Sequence, residues 1–397
     1  MHDPAYRENP KEGTAGGRAA NRYDRMEWAG AFGDLGTLLP FLVAYVNLVR
    51  MDVHGVLVTL GLSCIAAGLY YRAPIPVQPM KAIGTVAITQ AAAITPGAVL
   101  VAGLATGAAW LALGLTGAAR WIAALTVRPV LRGMLIGLGL QFMAQGISMA
   151  MPDPWVALVG AGLVLALFAS RRVPAMLALL VYGFAAGVVR AGGVGPLARA
   201  LTPGFHLPGI ALGGIRLGDL APGLLALALP QIPLTLGNAL IATAAEHNNL
   251  FAPRHVSETQ LAVSTGILNL AGPLVGGIPV CHGAGGMAGH VRFGARTGGA
   301  VVILGAVLLA IGLFFGSSAM ALLRLLPTSV LGVILMFAGI ELAMGARGLG
   351  KDRADVFVVM LTAGLTAWHV GAAFLAGLAL WHLIRRGWVR FADAVEG

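Results

Sequence analysis

From residue 28 to residue 387 the sequence is cut by short polar breaks into apolar runs of the length that crosses a lipid bilayer. A spanning helix needs roughly 20 such residues. In the first half the runs fall at 28–49, 54–71, 74–91, 96–117, 128–149, 154–170 and 173–190. In the second half they fall at 219–243, 256–274, 278–291, 298–316, 327–346, 354–368 and 370–387. A Gly- and Pro-rich connector separates the halves. Charged residues make up 11% of the chain, against about 25% in a soluble domain. The mean hydropathy is +0.84. The reading is an all-α polytopic membrane protein of about 14 transmembrane segments in two inverted seven-segment repeats. Segments 3 and 10 are expected to be broken, each a short extended piece followed by a half-helix.

Basic residues test that count, because Lys and Arg concentrate in cytoplasmic loops. With the N-terminus inside, 20 of the 26 Lys and Arg fall on the inner side and five on the outer side, and Lys81 lies within the membrane. An odd number of spans per half inverts the second half relative to the first. The net charge of +10 is accounted for by this bias, so nucleic acid is not an expected partner; the lipid bilayer is. Both termini are expected in the cytoplasm, the membrane being a bacterial inner membrane. The first 25 residues are polar and include five Arg or Lys, without the apolar core of a signal peptide.

Two stretches do not read as simple spans. Ala73-Pro74-Ile75-Pro76-Val77-Gln78-Pro79-Met80-Lys81 and Gly276-Gly277-Ile278-Pro279-Val280-Cys281-His282-Gly283-Ala284-Gly285-Gly286 are apolar but broken by Pro and Gly. Proline cannot donate to a helix ladder. The tripeptide Ile-Pro-Val occurs in both, at 75–77 and 278–280. Irregular backbone at membrane depth survives only where protein or a water-filled cavity covers it. Interrupted segments at corresponding places in two halves point to a transporter's binding site. The N-terminus of a half-helix is an anion site, because its free N–H groups and its dipole both favour negative charge.

Polar residues near these breaks are the candidates for function. Lys81 opens the first half-helix, where a cation is unfavourable unless an anion relieves it; a salt bridge to Asp34 is the other reading. Asp34, in Gly33-Asp34-Leu35-Gly36-Thr37, is an intramembrane carboxylate, read as a coupling group, a partner for Lys81 or a helix cap. Gln78 offers an amide to a ligand or to a helix end. His282 reads as an oxyanion donor, a proton relay or a hydrogen-bonded structural residue. Gly283, Ala284 and Gly285 act through backbone N–H groups and open space. Gln231, Thr235 and Asn238 share one helical face, which lines the site or bonds to other helices. Glu246 is a further coupling candidate, with a solvated loop as its alternative. The two cysteines, Cys64 and Cys281, form no disulfide framework. No metal-ligand spacing, nucleotide-binding motif or catalytic constellation is present in the sequence, so neither cofactor nor enzymatic activity is expected.

The motifs around Asp34, Pro76–Ile83 and Pro279–Ala288, followed by Phe293-Gly294-Ala295-Arg296-Thr297-Gly298, resemble the signatures of the molybdate transporter family. That family is distantly related to the SulP sulfate permeases. The resemblance implies the fold of the uracil transporter UraA, with a core domain that moves against a gate domain. By that resemblance 27–117 and 218–316 form the core and 118–190 and 317–390 form the gate; residues 1–26 read as a flexible cytoplasmic tail, 191–217 as an extracytoplasmic connector and 391–397 as a cytoplasmic tail. It implies molybdate or a related tetrahedral oxyanion as substrate, carried by secondary active transport, and a homodimer through the gate. The expected site is Gln78, Met80, Lys81, Asn238, His282, Gly283, Ala284 and Gly285, with Asp34 and Glu246 for coupling. A general sulfate or tungstate permease and a channel-like anion conductor are the alternatives.

Overall fold

The computed structural model describes residues 20–90, 92–119, 127–168, 170, 173, 175–195, 202–251, 254–344, 346, 352–366 and 368–389. Most of the expected N-terminal tail, part of the connector, the closing residues 391–397 and the basic residues Arg120, Arg171, Arg172, Arg199, Arg347, Lys351 and Arg390 lie outside them. The described chain is mainly helical. Four helices are long and apolar enough to cross a membrane: α3 (Val53–Tyr71), α5 (Pro96–Leu115), α6 (Arg128–Ala150) and α9 (Leu217–Leu250). Shorter apolar helices accompany them: α7 (Pro154–Leu167), α8 (Ala175–Arg190), α12 (Gly299–Phe314), α14 (Thr328–Met344) and α16 (Val370–Arg385). The protein is therefore a multi-pass membrane protein.

Local chemistry sets the helix ends. Asp52 caps α3 by accepting from the N–H groups of His54 and Gly55. Thr95 caps α5, with Pro96 at the first helical position where its missing N–H is harmless. Ser257 and Gln260 close a reciprocal capping box on α10 (Glu258–Ala271). Helix α9 widens into π turns at Pro222–Ala228 and Thr235–Ile241, and Pro230 and Pro233 lie between them. Proline removes ladder donors and is a recognised cause of such irregularity.

Three helix pairs build the frame: α3 with α12, α5 with α10, and α6 with α14. Backbones meet within them. A side chain on Gly61 of α3 would sit 2.7 Å from the carbonyl oxygen of Gly305, and one on Gly305 would sit 2.6 Å from that of Gly61. Gly139 of α6 and Gly339 of α14 block each other in the same reciprocal way, at 2.5 and 2.6 Å. Small residues permit this approach, and close packing drives helix association in lipid.

The first helix, α1 (Arg25–Ala31), ties the chain start to the second half. Glu27 is fully buried. Its carboxylate accepts from the N–H groups of Arg296 (3.0 Å), Thr297 (2.9 Å) and Ala300 (3.0 Å). It thus fills the N-terminus of α12, where an anion is favoured. Replacing Glu27 with alanine leaves three donors unpaired, two of them buried, so we expect a loss on the order of 3 kcal/mol. Thermal unfolding of the purified variant in detergent checks this; a melting temperature equal to that of the unsubstituted protein would contradict it.

Candidate functional site

Two segments meet in the interior. Strand β1 (Gln78–Pro79) pairs antiparallel with β2 (Val280–Cys281), Gln78 opposite Cys281 and Pro79 opposite Val280. The N–H of Met80 donates to the carbonyl of Pro279 at 2.9 Å. Each strand leads into a nine-residue helix: α4 (Lys81–Thr89) after β1 and α11 (Ala284–Arg292) after β2. Met80 and Gly283 are the residues that precede the first turns. Both helices therefore start beside the same short ladder.

Side chains complete the ladder. Asn269 of α10 acts as a third strand, donating to the Val280 carbonyl (2.5 Å) and accepting from the Val280 N–H (2.8 Å). His282 is fully buried. One ring nitrogen lies 2.9 Å from the Pro76 carbonyl and the other 2.8 Å from the Ser264 hydroxyl. Ser264 in turn lies 2.6 Å from the Tyr71 hydroxyl. Both nitrogens of His282 are thus engaged between α3, α10 and the segment before β1. Of the three readings open for His282 in the sequence, these contacts favour the hydrogen-bonded structural one, in which its side chain braces the ladder.

The two helix starts differ. At α4, the Gln231 side-chain oxygen accepts from the N–H of Ala82 at 2.8 Å and lies 3.4 Å from that of Ile83. Its amide nitrogen donates to Thr235 at 2.9 Å. The Met80 N–H is spent on Pro279, so the expected backbone donor at Met80 is corrected. At α11, the N–H groups of Ala284 and Gly285 have no hydrogen-bond partner among the described residues. A side chain added to Gly285 would meet nothing within 4 Å, and Gly285 is exposed. The first turn of α11 therefore faces open space.

Four further groups border this opening. Lys81 and Asn238 are partly exposed. The Lys81 ammonium has no hydrogen bond or ion pair among the described residues. A side chain on Gly283 would collide with the Gln78 oxygen and lie 3.7 Å from the Asn238 amide nitrogen. Asp34 is buried, 4% exposed, and accepts from the Gln78 amide at 2.6 Å. A side chain on Gly286 would come within 2.8 Å of the Asp34 carboxyl carbon. Asp34 reaches this place because Gly33 and Gly289 let two backbones touch; a side chain on Gly289 would sit 2.7 Å from the Gly33 carbonyl oxygen.

The fold thus brings together Asp34, Gln78, Lys81, Asn238, Gly283, Ala284 and Gly285. Glu246 stands apart. It lies eight residues beyond Asn238 on α9, about 12 Å along the axis at 1.5 Å per residue. Sequence reasoning missed Asn269, Ser264 and Tyr71; the available signal was a lone polar residue inside an apolar run. Chemically, the opening offers unspent N–H groups, a helix dipole, an ammonium and two amides, a set suited to an anion with several oxygens. Removing the His282 brace by substitution with alanine leaves the Pro76 carbonyl without that partner. We expect a loss of about 1–3 kcal/mol, read by thermal unfolding; undiminished stability would show that the ring is not a brace.

Comparison with known proteins identifies the family and the fold. The family described as molybdate transporter of the MFS superfamily matches residues 26–142 and 223–342. These ranges contain every residue bordering the opening. Molybdate transporter 2 of Arabidopsis thaliana is 33% identical over 412 residues, covering 90% of this chain and 87% of that protein. Molybdate transporter 1 of Chlamydomonas reinhardtii is 30% identical over 480 residues, covering 91% and 92%. The transmembrane domain of the cyanobacterium bicarbonate transporter BicA shares the fold, with a TM-score of 0.67 at 17% identity over 91% of this chain and 98% of that one. Murine Slc26a9, an anion transporter in the inward-facing state, gives a TM-score of 0.68 at 13% identity over 96% and 72%. The fold is that of the SulP-like anion transporters, and the chain belongs to the molybdate transporter family.

Proposed function

We propose that the protein moves molybdate across a membrane by secondary active transport, binding the dianion at the opening beside β1 and β2. The observation that carries this reading is the uncapped first turn of α11, which starts beside the same short ladder as α4 and its Lys81. A helix N-terminus carries roughly half a positive charge, and Lys81 adds one. The Ala284 and Gly285 N–H groups hold two oxygens, while Lys81, Gln78 and Asn238 supply side-chain donors. Gly283 and Gly285 keep the approach free of side chains.

Alternating access follows from which parts move. Residues 27–117 and 218–316 form the core and carry the site; 118–190 and 317–390 form the gate. The division goes with fourteen segments in two inverted repeats, as proposed from the sequence. The packing is consistent with them: α3 of the first half meets α12 of the second, while α10 of the second meets α5 of the first. Gln231, from the first span of the second half, caps α4, and Asp34, from the first span of the first half, lies against α11. The bacterial inner membrane with both termini cytoplasmic, and a homodimer through the gate, complete the proposal.

Equilibrium binding of molybdate to the purified protein tests the reading, with sulfate, tungstate and uracil as competitors. Molybdate binding that resists excess sulfate is the expected result. Equal displacement by sulfate would make the protein a general oxyanion permease, and binding of uracil alone would overturn the oxyanion reading. Lys81→Ala should weaken molybdate binding at least about tenfold, the effect of losing one charge-assisted contact; unchanged affinity would remove Lys81 from the site. Gly283→Val places methyl groups against the Gln78 amide and should abolish uptake in proteoliposomes, whereas normal uptake would exclude an approach at α11.

A further inference from the structure

We propose that His54 and His206 together bind a divalent transition-metal cation of the Zn²⁺ or Cu²⁺ class, at the corner where α3 begins. This site is separate from the opening beside β1 and β2 and does not depend on the oxyanion reading. The two histidines come from distant parts of the chain. His54 lies in the first turn of α3, and His206 lies in the connector between the halves. Backbone bonds carry the connector to that place. The N–H groups of Gly204 and His206 donate to the carbonyls of Phe314 and Leu313, each at 2.9 Å, so the connector follows the end of α12. Just before them, the Thr202 N–H donates to the Ser318 hydroxyl at 3.1 Å, and that hydroxyl donates back to the Thr202 carbonyl at 3.2 Å. Ser318 belongs to α13 (Gly316–Leu325). His206 is thereby set down on His54, with ring centroids 5.0 Å apart and planes tilted by 40°.

Each ring is oriented by a backbone carbonyl. Nδ1 of His54 lies 2.8 Å from the Gly312 carbonyl oxygen, and Nδ1 of His206 lies 3.1 Å from that of Gly204. A carbonyl oxygen can only accept, so both Nδ1 atoms carry protons. Nε2 is then the lone-pair nitrogen of each neutral ring. Neither Nε2 has a hydrogen-bond partner among the described residues. Metal-binding histidines show this same division, one nitrogen donating to a carbonyl and the other on the ion. The ring separation fits as well. With a zinc–nitrogen bond of about 2.0–2.1 Å and the ring centroid ~1.1 Å further out, two rings on one tetrahedral ion stand about 5.2 Å apart, against the 5.0 Å found here. Glycine at 316 leaves His54 uncovered, since a side chain there would sit 2.8 Å from its Nε2. His206 is exposed and His54 partly so, which gives an ion access from solvent. Among the described residues no third His, Cys or carboxylate joins the pair, so water completes the coordination and the ion is exchangeable. Imidazole ligands favour Zn²⁺ and Cu²⁺ over Mg²⁺ and Ca²⁺. A bound ion fastens the connector to the start of α3, beside its tie to α13.

The test is titration of the purified full-length protein, free of any polyhistidine tag, with Zn²⁺ in detergent. Binding is read by calorimetry, with Mg²⁺ as the control, and thermal unfolding is followed in the same samples. About one Zn²⁺ should bind per chain, Mg²⁺ should not bind, and the melting temperature should rise with Zn²⁺ concentration. His206→Phe keeps a ring that can stack on His54 and removes the lone-pair nitrogen. It should weaken Zn²⁺ binding at least about tenfold and abolish the zinc-dependent shift in melting temperature. His54→Gln, whose amide can still donate to the Gly312 carbonyl, should do the same. Absence of Zn²⁺ binding by the unsubstituted protein would overturn the proposal and leave the two rings as a stacked pair. Zn²⁺ bound by both variants as tightly as by the unsubstituted protein would place the ion elsewhere and overturn the assignment.

Discussion

The two-residue ladder between β1 and β2 is the contact on which the rest of the molecule depends. Inside a membrane every backbone polar group needs a partner, and a broken segment leaves several without one. Here the deficit is met piece by piece. Pro79 has no N–H to satisfy, Met80 donates to Pro279, and Asn269 supplies both bonds that a third strand would give Val280. His282 and Ser264 tie the outer side of the ladder to α3 and α10. Once those groups are paired, what remains unpaired at α11 is aimed at open space.

The two helix starts look alike in sequence and are unlike in structure. Gln231 occupies one, so α4 contributes its lysine more than its backbone. Glycine surrounds the other, so α11 contributes backbone more than side chains. Complementary roles of this kind let one site hold a highly charged ligand without two cations facing each other across an empty cavity.

Much of this was readable beforehand. Pro and Gly at membrane depth marked both broken segments, and Lys81, Gln78 and Asp34 stood out as polar residues where apolar ones are expected. The repeated Ile-Pro-Val tripeptide marked the two segments as counterparts. What was not readable is direction. His282 directly precedes Gly283, yet successive residues in extended chain point to opposite faces, and sequence alone does not say which face is the cavity. The Met80 N–H was expected to meet ligand because ladder register is a long-range property. Asn269 was overlooked because one Asn in an apolar helix has no period to announce it. Gln231 and Asn238 were placed on one helical face, but their different tasks depend on which neighbour lies opposite each.

The reciprocal glycine crossings carry a mechanical consequence. Where Gly61 meets Gly305 and Gly139 meets Gly339, each carbonyl sits in the notch of the opposite helix. Sliding either helix along its partner would drive a side-chain-bearing residue onto that carbonyl, so the joints behave as dowels that resist shear. In the proposed alternating access the dowelled pairs travel as solid blocks. The distribution of glycine thereby marks out which parts of the machine are castings.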